Sequence, residues 1–386
     1  MNPVAHSIVI DDTTLRDGEQ SAGVAFTLNE KTNIAQSLND IGVRELEVGI
    51  PAMGPEECES IRAISALNLT SRLLVWSRMR QDDLNYCKNL EVDMVDVSIP
   101  LSTQQISSKL NGTYDWVLTT IDYHIRFAQD LGLEVCLGGE DASRADMNFI
   151  LRAIEVAENA GASRFRFADT LGVMEPFKVM KTISHIRAQT DMQIEMHAHD
   201  DFGLATANTL AAASAGATHL NTTVNGLGER AGNAAIEEVV LGLKHLYGID
   251  AGIDMRRFPE TSKLVESASG RPTAWQKSVV GEGVFTHESG IHVDGLLKDP
   301  NNYQSLTPEE VGRDHELVLG KHSGTRGVML AYSRLGLHIT KPEASALLMK
   351  VREFVTRYKR TPGEQDLRAF LRQYNVHINE SVVAAN

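Results

Sequence analysis

The 386 residues are enough for one large α/β barrel or two to three average domains, so the chain has ample material for a buried core. Hydrophobic residues make up 42% and charged residues 23%, far from the low-hydrophobicity, high-charge compositions that stay disordered. Lys plus Arg number 37 against 51 Asp plus Glu, a net charge of −14. Its field repels phosphate backbones and anionic headgroups, so neither nucleic acid nor membrane is expected as a partner.

In chain order, the N-terminal segment MNPVAHSIVIDD carries no basic region ahead of an apolar stretch. No apolar run approaches the roughly 18 residues of a membrane span. Eight short, β-branched, mostly apolar runs then follow: Ile8–Leu15, Glu45–Ile50, Leu73–Ser77, Met94–Ile99, Leu133–Leu137, Arg164–Ala168, Gln193–His197 and His219–Val224. Runs of this kind suit parallel strands covered on both faces. Between them, Thr32–Ile41, Ile121–Leu131, Ile150–Ala160 and Phe177–Ala188 repeat apolar residues every three or four positions, the pattern of helices with one buried stripe. Several of these stretches run into a glycine (Gly42, Gly132, Gly161, Gly216) suited to closing a helix. Eight βα units predict a closed (β/α)8 TIM barrel over residues 1–250 rather than an open doubly wound sheet. The βα rhythm stops near Asp250, and residues 251–386 are expected to form a C-terminal, mainly helical lid subdomain, with Lys341–Arg357 a helix capped by Thr340. The three cysteines, Cys58, Cys87 and Cys136, are odd in number and lack C-x-x-C spacing. They fit a reducing compartment, and a cytoplasmic location is expected.

Catalytic groups of such barrels sit where strands end at the C-terminal face. The first strand runs into Leu15-Arg16-Asp17-Gly18-Glu19-Gln20, the seventh into His197-Ala198-His199-Asp200-Asp201, and the eighth into the glycine-rich Asn225–Asn233. Residues i and i+2 of a strand share a face. His197 and His199, with Asp17 from the first strand, therefore make a candidate N/O site for a divalent ion with open positions. On its own, H-x-H reads first as two hydrogen-bonded histidines without an ion; its place at a barrel mouth opposite Arg16-Asp17 shifts the balance to a ligand role. Other patterns fail on spacing. Gly226-x-Gly228 with Gly232 is not a dinucleotide fingerprint, Gly320-Lys321-His322-Ser323 is not a P-loop, and His287-Glu288-x-x-x-His292 is one residue too long for a zinc-protease helix. By spacing alone, His287 and His292 are ordinary loop residues.

At these residues the chain resembles the Claisen-condensing acyltransferases that include 2-isopropylmalate, citramalate and homocitrate synthases. Leu15-Arg16-Asp17-Gly18-x-Gln20, followed by Lys31, matches one signature, and Ile194-x-x-His197-x-His199-Asp200-Asp201-x-Gly203-x-Ala205 the second. Asn225–Asn233, Phe285–His292 and Leu319–Gly324 are similar to further family blocks, so the resemblance spans nearly the whole chain. Across Glu45–Gly54 it is strongest with the homocitrate synthases of nitrogen fixation. The end at residue 386 leaves no room for the regulatory domain usual in isopropylmalate synthases, in keeping with that likeness, although some homocitrate and citramalate synthases are equally short.

The resemblance implies that Asp17, His197, His199 and Asn233 hold a divalent ion (Mg²⁺, Mn²⁺ or Zn²⁺) that chelates a 2-oxo acid, while Arg16 faces the oxygen that becomes an alkoxide. It places Gln20, Glu47, Glu140 and Thr170 around substrate and metal, and Ser102 and Arg80 complete the substrate-binding candidates. His292 is implied as the base for acetyl-CoA, supported by Tyr303 and Glu288, in a lid that in the family reaches over the other subunit of a homodimer. Lysine-pathway homocitrate synthases carry a histidine and an arginine near the distal carboxylate of 2-oxoglutarate, where this chain has Arg80 and Cys136. Arg80 or Arg78 is expected to take over that charge, against the equal reading that both are solvated helix-cap residues. The implied reaction joins acetyl-CoA to 2-oxoglutarate to give homocitrate, destined for the nitrogenase cofactor. The rivals are the same chemistry on another oxo acid, an acyl-CoA lyase, and a non-catalytic barrel.

Overall fold

The computed structural model describes residues 8–384, with side chains to 375; most of the N-terminal segment read above, residues 1–7, lies outside them. Eight parallel strands, β1 (Val9–Asp12), β2 (Glu45–Glu47), β3 (Arg72–Arg78), β4 (Met94–Pro100), β5 (Glu134–Glu140), β6 (Arg164–Asp169), β7 (Gln193–Ala198) and β8 (His219–Thr222), close into one barrel. β8 pairs back onto β1 in register from Val9↔His219 to Asp12↔Thr222. Helices α1 (Leu28–Asp40), α2 (Pro55–Ser65), α3 (Gln81–Asn85), α4 (Thr103–Ser108), α5 (Tyr114–Asp130), α6 (Met147–Ala160), α7 (Pro176–Arg187) and α8 (Ala205–Ser214) occupy the crossovers, and α9 (Ile236–Tyr247) follows β8. The expected (β/α)8 barrel is therefore the fold of this part of the chain.

Local chemistry sets the element ends. α1 begins four residues before the apolar pattern does, because Thr27 and Glu30 form a capping box in which each side chain accepts from the other's backbone N–H. α6 ends at Gly161, whose φ of +102° is open to a residue without Cβ. β1 stops at Asp12 rather than Leu15: the backbone turns at Thr13, whose carbonyl accepts from the N–H groups of Arg16 (3.1 Å) and Gly18 (3.0 Å).

The barrel interior is less apolar than the strand runs suggest. On β2, β6 and β7 the inward i, i+2 positions carry Glu45 and Glu47, Arg164 and Arg166, and Glu195 and His197, all buried. Arg164 donates to Glu45 (2.7 and 2.8 Å) and Glu195 (3.0 Å). Arg166 pairs with Asp96 and Glu195 (both 2.5 Å), Glu47 (2.8 Å) and Asp11 (3.3 Å). Deleting one partner from such a set strands a buried charge and costs about 3–5 kcal/mol.

By internal contacts the chain divides into a first unit, running to residue 274 and including 278–280, and a second, comprising 275–277 and the residues from 281 onward. The division thus falls beyond residue 250. α10 (Phe258–Ser269) belongs with the barrel: Thr261 Oγ1 lies 3.0 Å from Ser37 Oγ of α1, and Ser262 donates to Asn225 Oδ1 at 2.5 Å. The second unit holds α11 (Gly290–Lys298), α12 (Thr325–Arg334), α13 (Lys341–Tyr358) and α14 (Glu364–Ala384), with the two-residue parallel strands β9 (Thr286–His287) and β10 (Glu316–Leu317). Its core joins Val328 and Tyr332 of α12, Leu347 and Val351 of α13 and Phe370 of α14. α13 starts at the expected Thr340 cap. No helix among the described residues is long and apolar enough to cross a membrane.

Candidate active site

The turn after β1 is built to hold two charges still. Thr13 donates to Glu47 Oε2 (2.6 Å) and its hydroxyl accepts the Asp17 N–H (3.2 Å). Arg16 then donates through Nε to the same Glu47 oxygen (2.6 Å) and through Nη1 to Asp17 Oδ1 (2.9 Å). Burial raises the Glu47 carboxyl, but Arg16 and Arg166 outweigh it and hold it at about 2, so Glu47 stays ionised as the anchor of Arg16.

β7 brings His197 and His199 to the same mouth. Asn221 donates to Asp11 Oδ2 at 2.6 Å, which turns its Oδ1 toward His197 Nδ1 at 2.7 Å. That oxygen can only accept, so His197 carries its proton on Nδ1 and presents the Nε2 lone pair to the site. The two Nε2 atoms converge to 3.1 Å. Burial, with His199 beside it, pushes His197 down to about 3, and burial lowers His199 as well; both rings are neutral. For Asp17, burial acts upward, yet Arg16, the two imidazoles and the amide of Asn233 together hold its carboxyl well below the usual range.

This donor set fits a divalent cation. One ligand atom each from Asp17, His197 and His199 lies within 4.8 Å of the others. Asn233 donates Nδ2 to Asp17 Oδ2 at 2.5 Å, and its Oδ1 is buried without a hydrogen-bond partner. Buried polar atoms of proteins are nearly always satisfied. Two lone-pair nitrogens, a carboxylate and an unspent amide oxygen suit borderline-to-hard ions such as Zn²⁺, Mn²⁺ or Mg²⁺.

A cavity of about 130 Å³ opens onto these groups. Arg16, Asp17, Gln20, Thr170, His197 and His199 line it, with Trp76, Asp96, Ser98, Gly138 and Glu140 coming from β3, β4 and β5. Trp76 donates its indole N–H to Ser98 (3.0 Å), which donates to Asp96 (3.0 Å). A Cβ on Gly138 would meet Ser98 Oγ at 1.8 Å, so the missing side chain keeps this space open.

Three substrate-binding candidates, Arg80, Ser102 and Glu47, lie outside that lining, and so does Arg78. Arg80 is the exposed residue preceding α3, its side chain making no cap to that helix, and Arg78 is held by Asp83 at 2.5 Å. The expected transfer of charge to these arginines thus has no support in the cavity: neither lines it, and Arg78 is turned to Asp83. Ser102 is buried, caps α4 and donates to Asp141 at 2.5 Å. Glu47 is likewise behind the lining, acting on Arg16. His292, Tyr303 and Glu288 belong to the second unit. There the His292 and Tyr303 rings lie with centroids 4.3 Å apart, tilted by 30°, and Glu288 Oε1 accepts the His322 N–H at 3.0 Å.

Sequence reasoning passed over Trp76, Asp96, Ser98, Asn221 and Arg166. A signal existed for Arg166: charged residues two apart within an otherwise apolar strand, Arg164 and Arg166, match the spacing of Glu45 and Glu47 and imply a shared polar face.

Fold and site together define a TIM barrel with a candidate divalent-metal site at its mouth, and the sequence comparisons place the chain in a family. The HMGL-like family model matches residues 7–265 and the homocitrate synthase post-HMGL domain-like model residues 279–359. The chain belongs to this family of 2-isopropylmalate and homocitrate synthases. It is 48% identical to 2-isopropylmalate synthase 2 of Caldanaerobacter subterraneus over 93% of this chain and 94% of that one. It is also 48% identical to homocitrate synthase 1 of a Nostoc species, over 94% and 96%. Among solved structures, hydroxymethylglutaryl-CoA lyase from Pseudomonas aeruginosa shares the fold, with a TM-score of 0.63, 19% identity, and coverage of 71% of this chain and 96% of that one.

Proposed function

We propose that the protein is a homocitrate synthase that condenses acetyl-CoA with 2-oxoglutarate and hydrolyses the thioester, releasing homocitrate and CoA. The observation that carries this reading is the convergence of Asp17, His197, His199 and the unspent Asn233 oxygen beside the anchored Arg16. A bound divalent ion would supply Lewis-acid polarisation of the ketone. Arg16, fixed by Glu47, is the positive charge facing the ketone oxygen as it becomes an alkoxide; removing a comparable donor costs roughly 3–4 kcal/mol of barrier.

The methyl proton of acetyl-CoA passes to His292, the base that the family resemblance assigns, with Tyr303 and Glu288 in support. The resulting carbanion attacks the ketone carbon, and water cleaves the thioester to free CoA. The same resemblance supports a homodimer and a product used for the nitrogenase cofactor, and the odd number and spacing of the cysteines support a cytoplasmic setting.

The choice of oxo acid is supported by polarity. The cavity wall of Trp76, Ser98, Asp96 and Glu140 is polar and offers no apolar slot for an isopropyl group; with two carboxylates in it, a distal carboxylate is held there only with a cation beside it. The equal likeness to a 2-isopropylmalate synthase keeps 2-oxoisovalerate as the second substrate to test. Incubating the protein with acetyl-CoA and 2-oxoglutarate, 2-oxoisovalerate or pyruvate separately, and detecting free thiol, is expected to give the fastest release with 2-oxoglutarate. Preference for either monocarboxylate would overturn the assignment.

A further inference from the structure

The lining of the cavity has an excess of carboxylates. Asp17, Asp96, Glu140 and Glu229 stand against Arg16 and Arg166, and both arginines are already committed. Arg16 is paired with Glu47 and Asp17. Arg166 is 2% exposed and shared among Asp11, Glu47, Asp96 and Glu195. A substrate with a second, distal carboxylate therefore meets like charge unless another cation answers it. Arg78 is bound to Asp83, Arg230 is spent on Asp201 (2.8 Å) and the Thr170 carbonyl (2.7 Å), and of the two cations outside the lining, Arg80 and Lys109, only Lys109 is paired with a lining residue among the described residues.

Lys109 remains. It follows α4, its side chain is 54% exposed, and its ammonium lies 2.5 Å from Oε1 of Glu140, a residue of the cavity lining. That carboxylate is its one ion-pair partner among the described residues, and an ammonium has three donors. Its placement is anchored. Ser102 caps α4 through the Gln105 N–H (3.2 Å) and donates to Asp141 (2.5 Å), while the Leu101 N–H donates to the Glu140 carbonyl (2.9 Å). The buried serine outside the cavity thus holds α4 against the end of β5, and so holds Lys109 over Glu140.

We infer that Lys109 is the specificity-determining cation of the site, shared between Glu140 and the distal carboxylate of a dicarboxylic 2-oxo acid. This rests on the reading of the protein as a 2-oxo acid condensing enzyme. The experiment compares kcat/KM for 2-oxoglutarate with that for 2-oxopentanoate, which has the same carbon count and no distal charge, in wild type, Lys109→Met and Lys109→Arg. A charge-assisted hydrogen bond of ordinary strength corresponds to about 10- to 100-fold in binding. The Met variant is expected to lower the dicarboxylate preference by about that factor, mainly through KM for 2-oxoglutarate, and the Arg variant to restore most of it.

An unchanged preference overturns the inference. So does a loss that appears in KM for acetyl-CoA, whose phosphates are the other anion able to claim a lysine. If the wild-type protein releases no thiol with any 2-oxo acid, it is the underlying activity that fails, whatever Lys109 does.

Discussion

Asp12 shows how much a single residue's surroundings weigh. It ends β1, buried, with Oδ1 accepting the Thr14 N–H at 2.9 Å and Oδ2 without a partner. Loss of water, only partly offset by the Thr14 hydrogen bonds, pushes its carboxyl from 3.8 up to about 7. The native fold therefore keeps a proton that the unfolded chain gives up from about pH 4 upward. Stability falls as pH rises between about 4 and about 7 and levels off above, since the native state binds more protons there. Asp12→Asn removes the titration. Urea midpoints at pH 5 and pH 8 are expected to show the variant gaining on wild type by roughly 2 kcal/mol over that interval; parallel pH profiles would show that Asp12 does not hold its proton in the fold.

At the scale of an element, the loop after β8 is the part of the site that depends most on backbone. Gly232 has φ +91°, and a Cβ there would lie 2.0 Å from the Gly226 carbonyl oxygen. The same loop is tied by the Asn233 N–H to Gly226 (3.0 Å) and by the Asp200 N–H to the Gly232 carbonyl (2.9 Å), which sets Asn233 beside Asp17. Gly232→Ala is expected to destabilise the protein by more than about 1 kcal/mol and to weaken Mn²⁺ binding measured by titration calorimetry. Unaltered Mn²⁺ affinity in a folded Gly232→Ala variant would mean that Asn233 is positioned some other way, or is no ligand.

For the whole molecule, a cation bound by residues following β1, β7 and β8 would tie together the three adjacent strand ends at which the barrel closes, which come from opposite ends of the βα series. A ligand that binds only the native state at 100 times its Kd stabilises by about 2.7 kcal/mol. Stripping the protein with a chelator is expected to lower its Tm by several degrees and abolish thiol release, with Mn²⁺ restoring both. In Asp17→Asn the Mn²⁺-dependent rise in Tm should be lost or much reduced. A chelator-treated protein with full turnover would remove the proposed chemistry.

Much of this was legible beforehand. The eight βα units follow from hydrophobic periodicity, which is local, and the signature residues Arg16, Asp17, His197 and His199 sit at strand ends that the same periodicity locates. The limits of α10's unit were not legible, because an amphipathic helix does not say in its own sequence which surface covers its stripe. Neither was the role of Glu47, of Ser102 or of the Arg166 network.

The one-dimensional pattern determined the barrel, the acidic character of the chain and the strand ends from which a cation could be held, since each depends on residues close together in sequence. Tertiary structure alone decided which charges are already spent. Arg16 and Arg166 are bound to carboxylates from other segments, whereas Lys109 has Glu140 alone among the described residues. Pairing across 31 residues or more is a matter of how strands close in space, and the energy of a buried charge is set by those neighbours.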